Sequence, residues 1–318
     1  MAKRGFSISE ALGEGFRVTG RRPLSVWVWG LITLLPSLVP MLLMFQPMMN
    51  LSLADMGDAA ALEHDPALAA MMVQGQLANI LSLVLQLVCY AVLGVAIYRA
   101  VLAPKSANRR PFALGFGMDE VRVGVIYLAL FVGFMVMTIV LVLITVGVGV
   151  AAWPRLTEAG QAWTVAAMIF VTLAVLLAAY GRVCLMAPVS VARGDFSFEE
   201  GWRLGAGQTG KLALLTLVVW VLVLAVVLLA YAVVLAIGMA IWMGLGLSMA
   251  VPDNPASFRD LLPADPRVLW LLGALSLPVV WLYGLVTTIG MAPYASAVRQ
   301  LILEPAVDAP ASGDLSES

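Results

Sequence analysis

FSISEALGEGFRVTGR at residues 6–21 and FSFEEGWRLGAGQTGK at residues 196–211 read as two copies of one segment. They align without a gap. Phe6 matches Phe196, Ser7 matches Ser197, Glu10 matches Glu200 and Gly15 matches Gly205. Thr19 and Gly20 match Thr209 and Gly210, and Arg21 is exchanged for Lys211. A long apolar run follows each copy. Self-similarity of this kind marks an internal repeat, in which each copy opens one structural unit.

Composition places those units in a membrane. The chain has 318 residues, 62% hydrophobic and only 12% charged, and its mean hydropathy is +0.98. A soluble domain is roughly 45–50% apolar and about 25% charged. Six apolar runs, near 24–45, 80–102, 123–152, 163–185, 212–245 and 268–291, are long enough to cross a hydrocarbon core of about 30 Å. The fifth run must tilt, protrude or bend. Pro36 and Pro40 in the first run and Pro278 in the sixth each remove a backbone donor and are expected to kink their helices. Gly133, Gly147, Gly149 and Gly238 are expected to allow close helix contact. The first run carries charge before it and no small-residue cleavage pattern, so it reads as a retained span.

Basic residues orient the chain. Lys3, Arg4, Arg17, Arg21 and Arg22 precede the first run, and Arg99, Lys105, Arg109, Arg110 and Arg122 surround the second connection. Arg182, Arg193, Arg203 and Lys211 surround the fourth connection, and Arg299 follows the sixth run. The opposite side holds only Arg155, Arg259 and Arg267. This positive-inside bias predicts cytoplasmic N- and C-termini. The acidic stretch 304–318 is expected to be a disordered tail beyond a single membrane domain, 1–303. Residues 66–77 are expected to form a short helix at the far interface.

Each copy of the segment predicts a short amphipathic helix in the cytoplasmic interface. Ser7-x-x-Glu10 and Ser197-x-x-Glu200 have the form of capping boxes, in which serine and glutamate serve each other's free backbone N–H groups. Trp202, Arg203 and Lys211 are candidate interfacial anchors. Before the third run, Phe112–Arg122 departs from the pattern, and its Glu120 is a candidate cap. The even-numbered runs end in Leu102-Ala103-Pro104, Met186-Ala187-Pro188 and Met291-Ala292-Pro293. Pro-x-Ser-x-x-Arg follows twice, with Ser106 and Arg109, then Ser190 and Arg193; in the third place Ser296 and Arg299 drift by one residue. The expected fold is therefore all-α: six transmembrane helices as three parallel hairpin repeats, about 6–104, 112–188 and 196–293. An interfacial helix precedes each.

Chemistry is sparse. Arg99 and Arg182 sit close to the cytoplasmic ends of their spans, where arginine snorkels to headgroups, and they read as anchors. Gln86, Tyr90, Tyr180, Thr287 and Thr288 read as interhelical hydrogen-bonders, or as a polar pathway. Cys89 and Cys184 fall in apolar runs and read as small core residues. His64 is the one histidine, too few for a multi-histidine metal site. No cluster of carboxylates, histidine or cysteine suggests an enzyme, and no cofactor is expected. The net charge of −1 and the lack of a basic run argue against nucleic acid as a partner.

The stretches FSISEALGEGFRVTGRRP, YRAVLAP and PFALGFGMDEVR resemble a family of uncharacterised six-span bacterial inner-membrane proteins, seen especially in alphaproteobacteria. The unit is more distantly similar to the membrane domain attached to some glycerophosphodiester phosphodiesterases, whose soluble catalytic barrel has no counterpart in this chain. The resemblance implies an inner-membrane location and no reaction. Mitochondrial carriers have a similar tandem pattern. However, they carry an acidic residue where this chain has Ser106 and Ser190, so their ion-pair gate is missing. The expected function is a non-enzymatic envelope or lipid-associated scaffold or accessory subunit, with membrane lipids and another membrane protein as partners. The alternative is a transporter of small molecules or lipids, with a cavity between the hairpins.

Overall fold

A computed structural model describes residues 5–49, 66–102, 111–244 and 266–303. Among these residues all regular structure is helical. The helices are α1 (Ile8–Arg21), α2 (Pro23–Met49), α3 (Pro66–Leu102), α4 (Met118–Ala152), α5 (Glu158–Val183), α6 (Met186–Arg193), α7 (Phe198–Gly244) and α8 (Pro266–Val298). A π turn, Arg299–Leu303, closes α8. Six stretches are long and apolar enough to cross a bilayer, one in each of the six expected places. His64, Ser106, Arg109 and the acidic tail lie outside the described residues.

The starts of the spans depart from expectation. Only the first copy of the repeated segment is a separate helix. Arg22 is non-helical, and Pro23 begins α2 at the first helical position, where its missing N–H costs nothing. The second copy has Ala213 where the first has Pro23, so nothing stops the helix. Phe198–Gly244 runs unbroken except for a kink at Gln208, with φ −131° and ψ 18°. Among the described residues just before it, 111–117, the third span has no preceding α-helix. It follows a 3₁₀ turn, Pro111–Ala113, in which Phe112 and Ala113 take φ of 57° and 58°. The expected interface helix 66–77 is simply the start of the 37-residue α3. Pro293 does not mark an exit either, because α8 continues through it to Val298.

The chain divides into two compact units, residues 1–18, 94–220 and 289–318 in one and 19–93 with 221–288 in the other. In the second unit, α2 and α8 cross with their backbones touching. A Cβ on Gly30 would lie 1.9 Å from the Val280 carbonyl oxygen, and one on Gly284 would lie 1.8 Å from that of Val26. Beside the crossing, Trp29 is fully buried, and the Thr33 and Thr287 hydroxyls are 3.3 Å apart. Small residues let helix backbones approach this way in membranes, where packing replaces the hydrophobic effect between helices.

The prolines of α2 are matched by side chains of α3. Pro40 cannot donate to the Pro36 carbonyl, and Ser82 Oγ donates to it instead at 2.6 Å. Pro47 likewise leaves the Leu43 carbonyl free, and Gln74 Nε2 donates to it at 2.9 Å. An unpaired carbonyl in hydrocarbon costs several kcal/mol by order of magnitude, so these two side chains are what make the prolines tolerable.

In the first unit, α7 packs on α5 and α6 through glycine. A Cβ on Gly201 would meet Met186 Cα at 2.6 Å, and one on Gly205 would meet the Arg182 carbonyl oxygen at 2.2 Å. Gly133, Gly147 and Gly149, expected at helix contacts, face open space with nothing within 4 Å. No residue in the most apolar window of α4 or of α5 is buried, so lipid solvates most of both helices.

Gly284→Ala drives a methyl into the Val26 carbonyl and is expected to destabilise the protein by about 1–3 kcal/mol. Gly133→Ala adds a methyl to open space and improves helix propensity. Thermal melts of the purified variants should show the first well below the parent and the second at or above it.

Candidate functional site

The charges of the first unit gather at helix ends, in three joints. At the first joint, Arg99 near the end of α3 reaches the first turn of α4. Its Nη1 donates to Glu120 Oε1 and its Nη2 to Asp119 Oδ2, both at 2.6 Å. Arg122 Nη1 holds the other Asp119 oxygen at 3.0 Å. The Glu120 side chain is only 3% exposed, and its Oε2 is buried without a hydrogen-bond partner. At the second joint, Arg193 at the end of α6 clasps Glu200 in the first turn of α7, at 2.6 and 3.1 Å. This joint is half exposed. At the third, Arg299 at the end of α8 lies 3.4 Å from Glu14 and 3.6 Å from Glu10, both on α1. Glu14 is almost completely buried and also pairs with Arg17 at 3.3 Å.

These partners correct the reading of the glutamates as caps. Neither capping box closes. Glu10 N–H reaches Ser7 Oγ only at 3.5 Å, and Ser197 Oγ donates to Asp195 rather than serving the Glu200 N–H. The serine N–H groups donate outside their own helices, Ser7 to Gln300 Oε1 at 2.7 Å and Ser197 to Ser190 Oγ at 3.1 Å. Gly117, before α4, makes no side-chain cap, and Glu120 is taken by Arg99. A guanidinium offers a carboxylate a full opposite charge and a fork of parallel N–H donors, which a single backbone N–H does not, so the carboxylates turn to the arginines.

The arginine anchors separate in the same way. Arg99 is a partly buried structural partner rather than a free headgroup anchor. Arg182 is exposed and lies over the ring of Trp202, 5.6 Å from its centroid. Arg203 is exposed on α7 and lines a surface depression of about 560 Å³ with Phe196, Ser197, Glu199 and Glu200. Lys211 is exposed, and its Nζ would be 3.1 Å from a Cβ on Gly5.

The polar residues expected along a pathway do not come together. Gln86 is exposed on α3, and Tyr90 is half-buried. Thr287 is buried and donates to the Tyr283 carbonyl at 2.8 Å. Thr288 bonds its own helix in the same manner, to Gly284. Tyr180 belongs to a different group in the first unit. Its ring meets Phe134 at 6.0 Å and Tyr294 edge-on at 5.8 Å. Tyr294 donates to Thr216 at 3.2 Å, and the Tyr98 and Tyr127 hydroxyls pair at 2.8 Å. Gly94 leaves space for that second pair, since a Cβ there would be 2.7 Å from the Tyr127 hydroxyl.

Sequence reasoning passed over Glu14, Gln300, Tyr98, Tyr127 and Tyr294. The lone carboxylate of Glu14 on the apolar face of α1, at helical spacing from Ala11 and Val18, was the one available signal. No group of three or more His, Cys, Asp or Glu able to hold a metal occurs among the described residues. Cys89 and Cys184 are free and buried.

No protein-family model, no curated protein and no solved structure matches the chain.

Arg99→Gln leaves Glu120 buried without its cation and is expected to cost about 3–5 kcal/mol. Adding Glu120→Gln removes the stranded charge and should recover a large part of that loss. Arg193→Gln breaks a solvent-screened pair and should leave the melting temperature unchanged. The three variants are compared by thermal unfolding of purified protein.

Proposed function

We propose that this chain is a multi-pass protein of the bacterial inner membrane that performs no reaction of its own and acts as an envelope or lipid-associated scaffold or accessory subunit. The observation that carries this reading is the use of charge. At each of the three joints, an arginine at the end of one apolar helix is spent on carboxylates at the start of another. Charges tied up in this way hold helices together.

The joints also support the tandem-repeat reading. The first joint links the end of the first expected repeat, 6–104, to the start of the second, 112–188, and the second joint links the second repeat to the third, 196–293. The third joint links the segment just after the third repeat to the start of the first. Glu10 and Glu200, aligned in the repeated segment, both face such arginines. The serines that match, Ser7 and Ser197, both donate to the preceding exit segment in this cyclic order. The basic residues of these ends favour a cytoplasmic location for them and for both termini. The sequence resemblance to six-span inner-membrane proteins points the same way.

The transporter alternative draws on the prolines inside the first span. The carbonyls freed by Pro40 and Pro47 are already bonded to Ser82 and Gln74, which leaves fewer backbone groups for a ligand there.

Reporter fusions test the location: a fluorescent protein that matures only in the cytoplasm should light up at either terminus, and a periplasmic phosphatase fused there should stay inactive. Native mass spectrometry of gently extracted protein tests the role. A stoichiometric membrane-protein partner or a retained phospholipid supports the scaffold. Purified chain that carries neither, yet moves a solute across proteoliposomes, overturns it in favour of transport.

A further inference from the structure

The three joints are unequal. The first two are made at 2.6 Å, within the usual reach of a charge-assisted bond. The third is longer, at 3.4 and 3.6 Å. It is also the joint that brings together residues far apart in sequence, on α1 and at the end of α8. Two further contacts seat α1. Ser7 N–H donates to Gln300 Oε1, and a Cβ on Gly15 would meet Ile289 Cα at 3.0 Å.

The receiving segment has an unusual backbone. Arg299 and Gln300, which hold α1, open the π turn Arg299–Leu303. π geometry is rare, poorer in packing than α, and concentrated at functional places in helices. Arg299 and Gln300 are its first two residues, and both contact the α1 segment. The α1 helix itself has only 14 residues, marginal for a free helix in water but suited to a membrane interface. Phe16 and Arg17 already face outward from it, an aromatic and a cation that fit the headgroup layer.

We propose that α1 is a releasable strap and that the π turn at the end of α8 is its catch. Docked, Arg299 faces Glu14 and Glu10, and Gln300 caps the Ser7 N–H. Released, Glu14 becomes hydrated, Arg299 is freed, and α1 pivots at Arg22 to lie in the headgroup layer. The equilibrium between the two is set by electrostatics at the loosest of the three joints.

The test uses the full chain in nanodiscs, with Cys89→Ala and Cys184→Ala to remove native thiols. Spin labels are placed at Gly13→Cys, whose added Cβ meets nothing, and at exposed Met118→Cys in the first turn of α4. Pulsed electron resonance then reads the distance between them. The expected result is a short docked distance with a minor longer population. Arg299→Gln should raise the released-to-docked ratio by about tenfold, the scale of one bond to a charged group. About 1 M salt, where screening acts within roughly 3 Å, should shift it the same way, and dilution should reverse the shift. Arg299→Glu combined with Glu14→Arg should restore the short distance. Gly15→Leu, which blocks the seat without touching charge, should release α1 at any salt. One unchanging short distance across all these variants and salts overturns the proposal. Loss of the short distance only together with loss of helical circular dichroism overturns it as well, because α1 is then a fixed part of the fold.

Discussion

The arginine–carboxylate pair is the interaction on which the first unit depends. Glu120, in the first turn of α4, and Glu14, midway along α1, are buried carboxylates, and a buried charge without a partner costs several kcal/mol by order of magnitude. Arg99 and Arg299 make those burials tolerable. The cost is also what makes the pairs specific. A helix end that brings a carboxylate to the wrong neighbour strands it. With only 12% of its residues charged, the chain has few such pairs to spend, and it places them where one helix stops and another starts.

Along the apolar lengths of the helices a second constraint takes over. Lipid cannot satisfy a backbone carbonyl, so every proline in a span creates a debt to a neighbour. Ser82 and Gln74 of α3 settle two of them in α2. Close packing then comes from absence of side chain rather than from apolar bulk. Gly30 and Gly284 bring two backbones into contact, Thr288 turns its hydroxyl back on its own helix, and Thr33 bonds its own helix while also meeting Thr287 across the crossing. In the second unit it is this backbone contact that holds α2 on α8.

Much of the fold was legible in the residues. Six long apolar runs have no other physical solution than six spans, and each was found in its place. The separate first helix was legible too, because Pro23 forces a new start. The errors came where a local pattern had a non-local competitor. Ser-x-x-Glu reads as a self-contained cap, yet Glu10 and Glu200 are drawn to arginines, one of them 289 residues away in the chain for Glu10. Interfacial glycines were chosen by their spacing within a helix, and Gly133, Gly147 and Gly149 face open space while Gly30 and Gly284 do not.

The sequence by itself determined the apolar lengths, the helical state, the punctuation by proline and the repeated segment at 6–21 and 196–211. These are properties of a residue and its near neighbours, governed by hydropathy, backbone donors and dihedral limits. Only the tertiary structure decided which arginine meets which carboxylate, which carbonyl Ser82 and Gln74 serve, and which tyrosines share Thr216 and one another. A charge or a hydroxyl in an apolar chain must find a partner, but its own neighbourhood does not say where that partner comes from. The choice is made by which helix ends and faces packing brings within about 3 Å.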